Sequence, residues 1–210
     1  MMRTARSWVE GWAVARRMPE PVDVPWGLRI DLGRPDQVVR HVLLDADPDV
    51  ARELVGTITE PTTCVKAFLP AAEMRPWFPA GWEPVESCFL MAVDLRPEPV
   101  RAPDGYTVTV ESSDGVTSVR VLGSDGEPAA SGLTGRTGSA CVFDQIVTEP
   151  AHRRRGLGTV VMGALTTTAV DGGVSTGILG ATVQGRALYE ALDWKVLAPL
   201  NGFVRAPDAP

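Results

Sequence analysis

The sequence is poor in the residues that hold metals or cross-links, with three cysteines and two histidines among 210 positions. Cys64, Cys88 and Cys141 lie on strand-like apolar runs, form no Cys-x-x-Cys pair and have no histidine at ligand spacing. Reduced, buried thiols are therefore expected, and no metal site. No apolar run approaches the ~20 residues of a membrane span. The first turns of the chain are broken by Arg6, Glu10, Arg16 and Arg17, so no signal-peptide core is expected and a cytoplasmic protein is. The two common phosphate loops are missing too: no Gly-Lys-Ser/Thr ends a glycine loop, and no third glycine completes a dinucleotide fingerprint. A net charge of −6 argues against a general nucleic-acid binder and leans towards cationic or neutral small substrates.

What is present is a globular composition, 44% hydrophobic and 22% charged, and one stretch that stands out from it. Ala140 to Val147 is rich in β-branched and aromatic residues and reads as a strand that stops before Pro150. Leu157, Val160, Val161, Ala164, Leu165 and Thr168 recur at the spacing of one helix face, and Asp171-Gly172-Gly173 ends that helix. Between them lies Arg153-Arg154-Arg155-Gly156-Leu157-Gly158. The free N–H groups and dipole of a helix start favour an anion, glycines let it approach the backbone, and guanidinium forks suit phosphate oxygens. The stretch reads as a phosphate cradle.

That loop resembles the Gln/Arg-x-x-Gly-x-Gly/Ala pyrophosphate loop of the GNAT superfamily of N-acetyltransferases. Downstream, Leu188-Tyr189-Glu190-Ala191-Leu192-Asp193-Trp194 is similar to that superfamily's final Leu-Tyr-Glu-x-Leu-Gly-Phe helix, and Thr176 to Thr182 supplies the strand needed between the two motifs. The resemblance covers residues 106–206 and implies the GNAT acyl-CoA N-acyltransferase fold, a mixed α/β sheet. Upstream, Tyr106 to Glu111, Val116 to Leu122 and Ala129 to Leu133 read as a three-strand meander. Its first turn leaves no room for the two helices the family usually carries there, so either helices in Asp36 to Ile58 cover the acceptor side, the favoured expectation, or residues 106–206 form a pared-down domain with a partly open cleft.

The N-terminal region 1–95 is predicted to hold a short amphipathic helix around Trp8 and Trp12, a strand at Gly27 to Leu32, a helix at Asp36 to Leu44, and a second helix capped by Asp47 with Pro48 in its first turn. A strand at Cys64 to Leu69, a short helix from Ala71 and a strand at Ser87 to Leu95 follow. Their order echoes Ile178 to Val204, either as a degenerate GNAT-like half or as a chance recurrence. The proline-rich stretch 96–105 is the predicted connector.

The resemblance also implies a chemistry, in which an amine attacks the thioester of acetyl-CoA, taken as a co-substrate without any metal. The backbone of Arg153, Arg154, Arg155, Gly156, Leu157, Gly158 and Thr159 would hold the pyrophosphate. Ile146, Val147 and Thr148 would receive the pantetheine arm as an added strand. Tyr189 would be the acid that protonates the leaving sulfur, and Asp144 the base, with a bound water as the alternative and Glu149 expected in a solvated ion pair. Thr182 stands where the family often has an asparagine. The expected acceptor is a primary amine on a small molecule or peptide, with neither nucleic acid nor membrane as partner and a homodimer as the family habit. The competing reading is a non-catalytic acyl-CoA-binding or regulatory module.

Overall fold

The computed structural model describes residues 1–97 and 101–207. Of the predicted connector, 98–100 lie outside the described residues, and the remainder carries no helix or strand. The chain opens with α1 (Met2–Ala15), followed by an antiparallel meander of β1 (Val22–Val24), β2 (Gly27–Arg34) and β3 (Gln37–Leu43). Helix α2 (Pro48–Thr57) crosses to β4 (Cys64–Ala67), which runs parallel to β3. Then come α3 (Ala71–Met74) with a 3-10 turn at Arg75–Trp77, β5 (Trp82–Pro84) and β6 (Cys88–Asp94).

The second half runs in the same order. A meander of β7 (Thr107–Ser113), β8 (Val116–Leu122), β9 (Pro128–Thr137) and β10 (Ala140–Thr148) leads into α4 (Leu157–Asp171), which crosses to the parallel strand β11 (Thr176–Thr182). The short α5 (Arg186–Glu190) and the long β12 (Lys195–Arg205) complete it. One sheet results, ordered β1-β2-β3-β4-β12-β6-β11-β10-β9-β8-β7, with β5 beside β12. Apart from the extra edge strand β7, this order is symmetric about the β12–β6 pair. Each half inserts its last long strand into the other half's sheet, β6 against β11 and β12 against β4.

Local sequence explains most of these elements. Asp114 and Gly115, both at positive φ, make the two-residue turn that joins β7 to β8. The Asp47 carboxylate accepts from the Asp49 and Val50 amides and starts α2 as expected, with Pro48 in the first turn. The helix expected at Asp36 to Leu44 is instead strand β3. Its Val38, Val39, Val42 and Leu43 fit either period, but β3 is buried on both faces, with Leu43 under α2 and Val42 under α1. A strand covered on both sides reads as a continuous apolar run rather than an alternation.

The placement of the helices also differs from expectation. Val142 and Ile178 face α1, whereas their neighbours Cys141, Phe143 and Leu179 face α4. Helix α1 thus lies on the opposite face of β10 from α4, and α2 lies on the opposite face of β3 from α1. It is α1, with Trp8, Val9 and Trp12 buried beneath it, that roofs the face where helices from Asp36 to Ile58 were expected.

The seating of α1 depends on two glycines. A Cβ at Gly135 of β9 would overlap the Gly11 carbonyl oxygen and the Ala15 amide, and one at Gly11 would strike the Val142 side chain. Both contacts at Gly135 are with backbone, so no side-chain motion relieves them. Gly135→Val is expected to destabilise the fold by about 2–3 kcal/mol through overpacking, read as a lower urea midpoint; a wild-type midpoint would refute this packing. A second expectation concerns His41, which is buried beside Trp26, with Nδ1 lacking a partner among the described residues. Burial, and then the Arg29 charge, push its pKa down from 6.5 to about 4. The unfolded chain therefore takes up a proton between those values that the folded chain refuses. Stability is full above about pH 6.5 and falls as pH drops towards 4; His41→Phe should flatten that slope in denaturation curves taken across the range, and an unchanged slope would exclude His41 as its origin.

Candidate functional site

Strands β10 and β11 pair in parallel only from Ala140–Thr176 to Phe143–Leu179. Beyond that point each follows its other neighbour. Val147 and Thr148 pair with Ser131 and Ala130 of β9, while Gly180, Ala181 and Thr182 pair with Leu90, Phe89 and Cys88 of β6. The two strands diverge and leave a cleft between their facing edges. A bulge between Asp144 and Val147, with Gln145 at φ 52°, bends β10 at the mouth of that cleft.

From Thr148 the chain enters a 3-10 turn, Pro150–His152, and then the predicted cradle. Arg154 and Gly156 both adopt left-handed φ, 63° and 77°, and Gly156 is the residue before the first turn of α4. A Cβ at Gly156 would meet nothing within 4 Å, so glycine is favoured there by backbone conformation rather than by crowding. A Cβ at Gly158 would lie 3.2 Å from Leu188 Cδ2, so that glycine lets α5 approach α4. Among the described residues no side chain caps α4, in contrast to α2, whose first amides are occupied by Asp47. An uncapped helix start carries free N–H donors and the positive end of the dipole.

The three arginines differ in their partners. Arg153 Nε donates to the Thr148 carbonyl, and Arg155 Nη1 donates to the Tyr106 hydroxyl, which is also 3.0 Å from His152 Nδ1. Arg154 is exposed and makes no hydrogen bond or ion pair among the described residues. Tyr106, expected only as part of a strand, holds Arg155 and His152 in place. Glu149 is exposed and the ion pair expected for it does not form among the described residues. Beside the cradle runs a groove of about 1010 Å³, bordered by Arg155, Gly156, Thr159 and Trp194, with Arg101 and Lys195 on its rim.

Tyr189 and Asp144 lie close enough to interact. Tyr189 is packed against Trp194, with ring centroids 6.1 Å apart. Burial, and then the negative charge of Asp144, push its pKa up to about 12. Asp144 itself is held by Arg16 at the end of α1, with Nη2 3.1 Å from Oδ1 and Nε on Oδ2. The Arg16 guanidinium stands 5.1 Å from the Trp12 ring centre. The Thr182 hydroxyl accepts from the Gly185 amide and so fixes the turn before α5. Of the proposed strand residues, Ile146 and Thr148 are half-buried and Val147 is 48% exposed.

No protein-family model and no curated protein matches the sequence. Solved structures do match the fold. A GCN5-related N-acetyltransferase from Kribbella flavida aligns with TM-score 0.69 at 16% identity, over 99% of this chain and 96% of its own. The chain has the GNAT fold. A GCN5-related N-acetyltransferase-like protein from Streptococcus suis superposes over 97% of both chains with TM-score 0.60 at 12% identity. A tandem GNAT protein from the clavulanic acid biosynthesis pathway matches 87% of this chain and 75% of its own, with TM-score 0.57 and 15% identity. Within this GNAT fold the uncapped helix start and the diverging strands belong to the C-terminal half, and the corresponding helix start of the N-terminal half is closed by Asp47.

Proposed function

We propose that the chain is an N-acyltransferase that takes an acetyl group from acetyl-CoA and passes it to a primary amine of a small molecule or peptide. The observation that carries this reading is the uncapped start of α4, behind the left-handed Gly156, at the mouth of the cleft between β10 and β11. The free amides from Arg153 to Thr159 suit a pyrophosphate. The strand edge at Ile146, Val147 and Thr148 suits an extended chain bearing amides, which it would take as an added strand. Acetyl-CoA would supply the activated acyl group as a thioester.

The residues of the chain would do the rest. Asp144 receives the acceptor's ammonium proton, since each carboxylate oxygen keeps a second acceptor position beside Arg16. Tyr189 acts at the leaving sulfur. A phenol held at about 12 keeps its proton at any working pH. It therefore stabilises the departing sulfur chiefly as a hydrogen-bond donor, because full transfer to a thiolate of pKa about 8.5 is uphill. The Arg16 clamp on Asp144 also supports a second reading, an acyl-CoA-binding module without turnover.

Calorimetric titration with acetyl-CoA tests the proposal. Binding by the wild type and its loss in Gly156→Glu are expected, and no binding by the wild type would remove the transferase reading. With an acceptor found, Tyr189→Phe is expected to lower kcat roughly 100-fold. A wild-type kcat that fell with rising pH well below about 12 through this group, or a Tyr189→Phe variant at full rate, would remove Tyr189 from the chemistry.

A further inference from the structure

On the face of the sheet under α1, at the end where the cleft opens, two cations stand without a counterion among the described residues. Strand β3 runs parallel to β4 and hence, through β12, β6 and β11, opposite to β10. The start of β3 therefore lies at the same end of the sheet as the finish of β10. Arg40, opposite Cys64, and Lys66, opposite Val42, share a face with Val42, which packs beneath α1. The Arg40 guanidinium lies 4.0 Å from the centre of the Trp12 ring and bonds to the Gln37 amide oxygen. The Lys66 stem lies across Gly202, where a Cβ would come within 2.7 Å of its Cγ. Both side chains are half-buried.

Among the described residues no carboxylate lies within 4.0 Å of either group. Asp144, which both Arg40 and Arg16 feel, is already clamped by Arg16, and Glu86 acts on Lys66 only through space. Burial pushes Arg40 down to about 10 and lowers Lys66 as well. Half-buried cations without partners are unfavourable, and a ligand anion placed between them relieves both. That anion is not a phosphate held by the cradle, because α4 and α1 lie on opposite faces of β10. On an acidic chain whose charge leans towards cationic substrates, this corner favours the opposite sign.

We infer that the acceptor is an amine that also carries a carboxylate, read by Arg40 and Lys66 beneath α1. This rests on the acyltransferase reading. The Arg40 guanidinium stacks on Trp12 and gives Nε and Nη2 to Gln37, which leaves its Nη1 edge to meet a carboxylate, and Lys66 adds a point charge. A site built for a carboxylate discriminates against the amide, since the cations are then left unpaired.

The test is calorimetric titration of the protein, with and without CoA, by N-acetylglycine, N-acetylleucine and N-acetylphenylalanine, each beside its amide. At least one acid is expected to bind ~10-fold or more tightly than its amide, with the preference lost in Arg40→Gln and in Lys66→Met. Acids and amides that bind alike or not at all, or a preference that survives both substitutions, would overturn the inference. So would inorganic phosphate binding as tightly as the acids through the same two residues, which would make the anion a phosphate. Lys66→Met is expected to melt no lower than the wild type, because it removes an unpaired charge; a drop of several degrees would mark Lys66 as structural and overturn its role. Acetyl-CoA binding is scored separately. Its absence, with the carboxylate preference intact, would sink the transferase reading alone, and its presence without that preference would sink this inference alone.

Discussion

The site depends on a competition for hydrogen bonds between neighbouring strands. After Phe143 and Leu179, β10 stays with β9 and β11 stays with β6, so the facing edges of β10 and β11 part. An unpaired edge is costly only where water cannot reach it, and these persist because Gln145 to Thr148 is at least partly exposed and each strand is held on its other side. The bulge at Gln145 and the left-handed residues Arg154 and Gly156 then carry the chain from the open edge to an uncapped helix start within about a dozen residues. Cleft and cradle are two results of one divergence.

Strand β6 is the element that allows it. Coming from the N-terminal half, it pairs along the whole of β11, from Thr176–Asp94 to Thr182–Cys88, and so holds β11 away from β10. The exchange of β6 and β12 makes the two halves of the sheet mechanically dependent on each other. Between them α1 closes the opposite face, pressed against β9 at Gly11 and Gly135, and brings Arg16 and Trp12 to Asp144 and Arg40. One helix thus sets the electrostatics of the face away from the cradle.

The strand, glycine loop and helix start around Gly156 were legible because they are local. Glycine spacing, three arginines, a β-branched run before them and a helical period after them lie within about thirty residues, and each obeys a short-range rule. The Asp47–Pro48 helix start and the Asp114–Gly115 turn were legible for the same reason. Strand β3 was not, because its valines and Leu43 satisfy both a helical and a two-sided strand pattern, and only pairing with β2 and β4 decides between them. The reach of Arg16 to Asp144, across 128 residues, left no mark in any window of sequence.

What neighbours alone settle could be read from the sequence: a glycine-bearing loop between a strand and a helix, the capped α2, and a mixed α/β chain of strand-helix-strand units. Tertiary packing set the exchange of β6 and β12, the cleft between β10 and β11, the helix that covers the far face, and the pairing of Asp144 with Arg16 that leaves Arg40 and Lys66 without a counterion among the described residues. Those features turn on which strand wins a shared neighbour and which charges meet across the core, and both are properties of contacts between distant segments.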